Sequence, residues 1–350
     1  MPILAHDFLE KQIANIVQAM GSSETEAKTV AHNLVLANLK GHDSHGVGMI
    51  PRYVEAFIEG SLKLNQSVKV NSDLGSLLVL DAQNGYGQVA GEEAIRMGIE
   101  RASKHGSCIV SLANAHHLGR IGHFAEIAAE HGLVSIHMVN VLSSPVVAVW
   151  GGADGRHGTN PFCVGVPLKN QTPFILDFAT SRVAQGKMRV AHNQGKKIPE
   201  GFLLDQQGRP TQDPSVVVKP NADGKMGALM PFGEHKGSGL AIACELIGGA
   251  LTGSGTWKPR PKKSRAIWNG MLSILINPQH TSTQEQFDGE VASFIQWVKE
   301  SPAADEGPVQ IAGEPEREKM RMRMQQGIAI DEQTWGDIVS AAQQFKIVLS

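Results

Sequence analysis

Apolar residues recur at helical spacing at the start of the chain. Phe8, Leu9, Ile13, Ile16, Val17 and Met20 mark one face of a helix over residues 7–20, and Gly21 stops it. Ser23 and Glu26 form a capping-box pattern that opens a second helix, running through Val30, Leu34 and Val35 to a terminating Gly41. A third helix carries Val54, Phe57 and Ile58 inward and ends before Gly60. The pattern then changes. "SLLVLDA" reads as a strand, "GEEAIRMGIERASKHG" as a helix, "SCIVSLANA" as a strand, "GHFAEIAAEHG" as a helix and "LVSIHMVNV" as a strand. Such alternation predicts an α/β fold. "FCVGVPL" and "FILDFA" are separated by a short polar turn, as in a hairpin, so the sheet is expected to be mixed. Residues 191–234 read as long loops or short hairpins, 236–251 as an apolar helix, 258–265 ("KPRPKKSR") as a basic loop and "GMLSILI" as a further strand. Helices around 284–300, 314–326 and 332–345 close the chain.

A length of 350 residues favours two lobes over one core. The net charge of −2 gives no general attraction to nucleic acid or to an anionic membrane. No apolar run approaches the roughly 20 residues of a membrane helix, and the first residues lack the basic region of a secretory signal. Cys108, Cys163 and Cys244 are scattered and odd in number, which fits a reducing cytoplasm better than a disulfide framework.

Histidine is abundant, with 14 copies against 2 of tyrosine, and two stretches concentrate it. In "GHDSHGVGMIPRYV", His42, Asp43, Ser44 and His45 follow a helix end. They read either as a polar helix terminus or as a proton-handling centre. A direct Ser44–His45 relay is not expected, because neighbouring side chains in extended backbone point to opposite faces, and no nucleophile elbow exists. His45 is better suited to general acid–base work. In "ANAHHLGRIGHF", His116, His117 and His123 follow a strand, where α/β folds place ligands. Their spacing fits no metal-binding pattern, so no metal is expected. Gly85, Gly87 and Gly91 imitate a dinucleotide fingerprint with the spacing off by one, and the next strand ends without the acidic residue that would hold a ribose. A plain turn and helix start is the better reading. "GTNPF", "LDFATS", "GEHKGSG" and "GEPERE" each put polar groups at a strand end or helix start; His235 and Lys236 at a helix N-terminus suit a phosphate.

Taken in order, these segments resemble the type 2 malate/L-lactate dehydrogenase family along nearly the whole chain, with the hydroxycarboxylate dehydrogenase branch the most similar. The resemblance implies a non-Rossmann α/β fold with a mixed, largely antiparallel sheet flanked by helices and an N-terminal helical segment. It implies a region 1–120 for substrate and dimerisation, an NAD(P)-binding region 121–274, and a helical region 275–350 packing back on the first. It further implies a cytoplasmic homodimer that uses NAD or NADP to interconvert a small 2-hydroxy acid and its 2-oxo acid. His45 would exchange the proton, Ser44 and Asp177 would orient and polarise it, and His117 would lie near substrate and nicotinamide. Cofactor contacts would fall on His45, on Gly119, Arg120 and Ile121, on Asp177, Phe178 and Ala179, on His235 and Asn269, and on Gly313, Glu314, Pro315 and Glu316. Many members carry an arginine five residues after the serine of the S-H-G motif. Here that position is Met49, so the carboxylate anchor must come from elsewhere, with Arg52 the candidate, or the substrate differs. A cyclic imine reductase of the same family is the alternative. A Ser44–His45–Asp177 hydrolase and a histidine-based metal-binding protein are remoter rivals.

Overall fold

A computed structural model describes residues 2–257, 266–304 and 307–349; the basic loop expected at 258–265 lies outside them. The chain opens with α1 (His6–Ala19), α2 (Glu24–Leu39) and α3 (Ile50–Ile58). Ser23 caps α2 by accepting the Glu26 amide, as the capping pattern requires, and Gly41 follows in the left-handed region at φ +82°. The apolar faces of α1 and α2 meet through Leu9, Ile13, Ile16, Val30 and Leu34, all fully buried, each contributing about 1.5–3 kcal/mol of transfer free energy.

Seven strands then form the main described sheet: β1 (Lys69–Asp73), β2 (Leu77–Asp81), β3 (Ser107–His116), β4 (Val134–Leu142), β5 (Phe162–Val166), β6 (Phe174–Phe178) and β7 (Trp268–Ile276). Their spatial order is β1-β2-β3-β7-β4-β5-β6. Only β2 and β3 run parallel; every other pairing is antiparallel. This is the mixed, largely antiparallel sheet expected, including the hairpin of β5 and β6. Helices α4 (Gly87–His105) and α5 (Gly122–Glu130) cover it, and one core runs from Leu78 through Phe124 to Leu275. The division predicted at residue 120 therefore cuts through this sheet. β1 to β3 precede that point, yet β3 pairs along its length with β7.

A smaller five-stranded sheet gathers residues 147–148, 155–157, 203–204, 210–211 and 228–229, with α6 (Gln185–Asn193) beside it. Next come α7 (Glu234–Cys244), α8 (Gln284–Lys299), α9 (Glu314–Gln326) and α10 (Glu332–Gln343). Ile328, Ile338 and Ala342 of the last segment enter the same core as α1 and α2, so the chain's end packs back on its beginning. The single helix expected over 236–251 is corrected to two pieces, because Glu245–Leu251 is π-helical. Gly248 there approaches β4 so closely that a Cβ would sit 2.8 Å from the Asn140 amide nitrogen. The wider turn accommodates that approach.

Candidate active site

The stretch after α2 folds as a short 3-10 turn, Asp43–His45, rather than extending the helix. Asn38, in the last turn of α2, holds it. Its Oδ1 accepts the Val47 amide at 2.8 Å and its Nδ2 donates to Asp43 at 2.7 Å. A Cβ at Gly46 would collide with the Asn38 amide group, which is the physical reason for glycine after His45. Arg323 of α9 clamps Asp43 with two nitrogens, at 2.6 and 3.0 Å. The turn is thus fixed from both ends of the chain.

Held this way, half-buried His45 reaches His117, just past the end of β3. Its Nδ1 lies 3.1 Å from His117 Nε2, and the rings stack at 5.2 Å with an interplanar angle of 11°. The other nitrogen of His117 lies 2.6 Å from the Tyr53 hydroxyl, and Gln88 Nε2 donates to that hydroxyl at 2.7 Å. Burial lowers the His45 pKa to about 4, with the nearby His42 and Arg120 acting the same way. Burial also pushes His117 well down and the Tyr53 phenol up. All these groups are therefore neutral near pH 7.

Beyond His117 the chain turns through Gly119, at φ +79°, to Arg120, Ile121 and Gly122. Arg120 is buried and pairs with Glu126, which also receives Lys40 Nζ at 2.6 Å. Arg120 Nε has no partner among the described residues. Burial acts to raise the Glu126 carboxyl, but Arg120 and Lys40 outweigh it and the net shift is downward. Burial lowers Lys40. Asp177, in β6, accepts the Gly122 amide at 2.7 Å and so caps α5 from across the fold. Its carboxyl is raised, by burial first, with Arg120 opposing.

Some of the positions expected to contact a cofactor lie on or beside β6. Gly122 meets Asp177. The Ala312 carbonyl accepts the Ile175 amide, placing Gly313–Glu316 along the same strand. Phe178 packs edge-to-face on Phe232 at 5.1 Å, just before α7, where His235 and Lys236 are exposed. Asn269 lies behind this line. Its side chain is occupied in accepting the Leu118 amide at 2.9 Å and donating to the Asn140 carbonyl at 2.7 Å, so it braces the 117–121 turn. The chemistry a dinucleotide needs is present among these residues: Arg120 keeps an unused donor, and an exposed helix N-terminus with a lysine suits a diphosphate.

Several groupings weighed on sequence do not assemble. Ser44 is exposed, His45 is engaged by His117 and Asp177 by Gly122, so there is no hydrolase triad. His116 and His117 both meet Tyr53, while His123 bonds Glu92, and no group of three metal-ligating side chains gathers among the described residues. Gly87 and Gly91 pack α4 against the 116–117 backbone and the Phe124 ring and face no open site. Sequence reasoning passed over Gln88, Asn38, Lys40 and Glu126. Each sits in a helix or, for Lys40, just after one, where a polar residue carries no signal of its own.

Residues 4–339 match the family described as malate/L-lactate dehydrogenase. Hydroxycarboxylate dehydrogenase B of Escherichia coli is 44% identical over 345 residues, covering 97% of this chain and 94% of the relative. Among solved structures, the sulfolactate dehydrogenase of Methanocaldococcus jannaschii superposes with a TM-score of 0.88 at 30% identity, covering 99% of this chain and 98% of that one. The delta1-piperideine-2-carboxylate reductase of Pseudomonas syringae superposes with a TM-score of 0.84 at 27% identity, covering 97% and 100%.

Proposed function

The chain belongs to the malate/L-lactate dehydrogenase family, and from that premise we propose that it is an NAD- or NADP-dependent oxidoreductase interconverting a small 2-hydroxy acid and its 2-oxo acid. The observation that carries the reading is the His45–His117 contact, 3.1 Å long and one turn from the Gly119–Gly122 segment that meets Asp177. The nicotinamide supplies the hydride. The chain holds the acceptor carbon in line and serves the proton: His45 gives it to the carbonyl oxygen in reduction and takes it back in oxidation. Arg120, Ile121, Asp177, Phe178, Ala179, His235 and Gly313–Glu316 would bind the dinucleotide, with Asn269 bracing them from behind. Ser44, at the mouth of the site, would orient the substrate oxygen. Met49 cannot hold a carboxylate. Arg52 is the replacement anchor, since its charge acts on His116, His117 and Tyr53. A soluble cytoplasmic homodimer completes the reading; no described helix is long and apolar enough to cross a membrane.

Reduction of a cyclic imine carboxylate is the second reading, favoured by the Pseudomonas syringae neighbour and by Met49. The test is oxidation of NADH and NADPH against a panel of 2-oxo acids and cyclic imine carboxylates, with fluorescence titration of each cofactor. Saturable binding and turnover of one class is expected. Flat titrations with both cofactors on folded protein would remove the oxidoreductase assignment.

A further inference from the structure

We propose that Gln88 sets the proton-bearing nitrogen of His45: Gln88, Tyr53, His117 and His45 form one directed hydrogen-bond chain that leaves the imidazole proton on Nε2, facing the reacting oxygen. The inference rests on the reading of His45 as the proton donor and names the residues that prepare it.

The direction follows from the amide. Gln88 is fully buried and gives an N–H to Tyr53 Oη. Turning the amide over would strand both N–H donors in the core, which is less tolerable than one under-used carbonyl oxygen. The Tyr53 hydroxyl therefore accepts from Gln88 and gives its own proton to His117 Nδ1, 2.6 Å away. His117, accepting at Nδ1, carries its proton on Nε2 and donates to His45 Nδ1. His45, accepting at Nδ1, carries its proton on Nε2. Behind half-buried His45 the members are too enclosed for water to scramble the order cheaply: Tyr53 and Gln88 are 0% exposed and His117 is 6%.

The depressed His45 pKa agrees, because the resting ring is then a neutral N–H donor. The charged or titratable groups around it are His42 and Arg120; around His117 they are His116 and Arg52. As the Nε2 proton moves to the substrate alkoxide, the proton of His117 crosses to His45 Nδ1 and that of Tyr53 to His117 Nδ1. The negative charge ends on Tyr53 Oη, beside the Gln88 N–H and in the field of Arg52, and a solvent proton restores the chain after product leaves. Gln88 and Tyr53 are thus positioning residues, not catalytic ones.

The test uses the full chain labelled with nitrogen-15 at histidine. Long-range proton–nitrogen spectra distinguish the two neutral tautomers, and the His45→Ala spectrum assigns the signal. His45 is expected to be protonated on Nε2 at pH 7.5 in the unsubstituted protein. Gln88→Glu with its carboxyl ionised presents only acceptors to Tyr53, so raising the pH through that ionisation should reverse the chain and move the proton to Nδ1. Gln88→Leu and Tyr53→Phe should lower kcat by roughly 10- to 100-fold, the usual worth of a supporting hydrogen bond, with KM for cofactor and acid within about twofold. An Nδ1-protonated His45 in the unsubstituted protein would overturn the chain, as would an unchanged tautomer in Gln88→Glu once infrared absorption shows its carboxyl ionised. A His45→Ala variant with undiminished turnover would instead overturn the donor role itself.

Discussion

Two sets of buried polar side chains hang from the same turn between β3 and α5, and they are built on opposite electrical plans. His45, His117, Tyr53 and Gln88 are joined by hydrogen bonds and carry no net charge near neutrality. Lys40, Arg120 and Glu126, the second of them only three residues beyond His117, form an ion-paired cluster. A fixed ion in a low-dielectric interior holds position but resists changing its protonation. A neutral imidazole held by hydrogen bonds can pass a proton without first being discharged. One region is therefore suited to moving a proton and the other to holding a charged ligand and the backbone around it.

The sharpest way to break this contrast is at His45. His45→Ala should lower turnover by roughly 100- to 10,000-fold, the range for a general acid, while cofactor affinity changes far less. Steady-state kinetics with cofactor titration checks this, and a loss confined to binding would erase the division. Next in size is Glu126→Gln, which leaves Lys40 and Arg120 buried with one countercharge fewer. Removing one partner of a buried pair costs about 3–5 kcal/mol, so the denaturant midpoint should drop steeply. Undiminished stability would mean that the ionic cluster is not structural.

Acid provides a third, intermediate test. Burial holds His116 and His137 at about 3, below the ordinary 6.5, and both are fully buried. The unfolded chain binds those protons first as pH falls. Stability is therefore complete above about pH 6.5 and declines below it toward pH 3, by up to about 1.4 kcal/mol per pH unit for each histidine. Glu126, shifted downward, stays ionised through the upper part of that range. Equal denaturation midpoints at pH 7.5 and pH 5 would contradict this account. The smallest effect belongs to His42→Ala, which loses only a 3.4 Å pair with Glu316. It should change stability by less than about 1 kcal/mol and leave turnover close to the starting rate. Losses at His42 as large as those at His45 would make the whole 42–45 turn structural.

Much of the local structure was readable from the chain itself. The spacing of Leu9, Ile13 and Ile16, the Ser23 cap and the glycine after α2 are short-range signals, and the helices they specify are present. The hairpin of β5 and β6 was equally local. The place of β7 between β3 and β4 was not, because nothing near residue 268 names its partners. The site divides the same way. His45 and His117 stood out as dense polar stretches, but their meeting across 72 residues depends on tertiary contacts. Gln88 was hidden in a glycine-rich helix start, and Lys40 and Glu126 stand out only once the fold pairs them.

The clasp made by Asn269 also bears on time. β3 and β4 are synthesised well before β7, yet neither pairs with the other; each waits for β7 to arrive between them. Asn269 of that late strand accepts the Leu118 amide, next to His117. A nascent chain can pair α1 with α2 while it is still being made, although their core closes only with residues 328–342, and the turn carrying His117 has no backing until residue 269 has emerged. Competence for chemistry is therefore among the last things the molecule acquires, and half-made chains are spared an active proton donor.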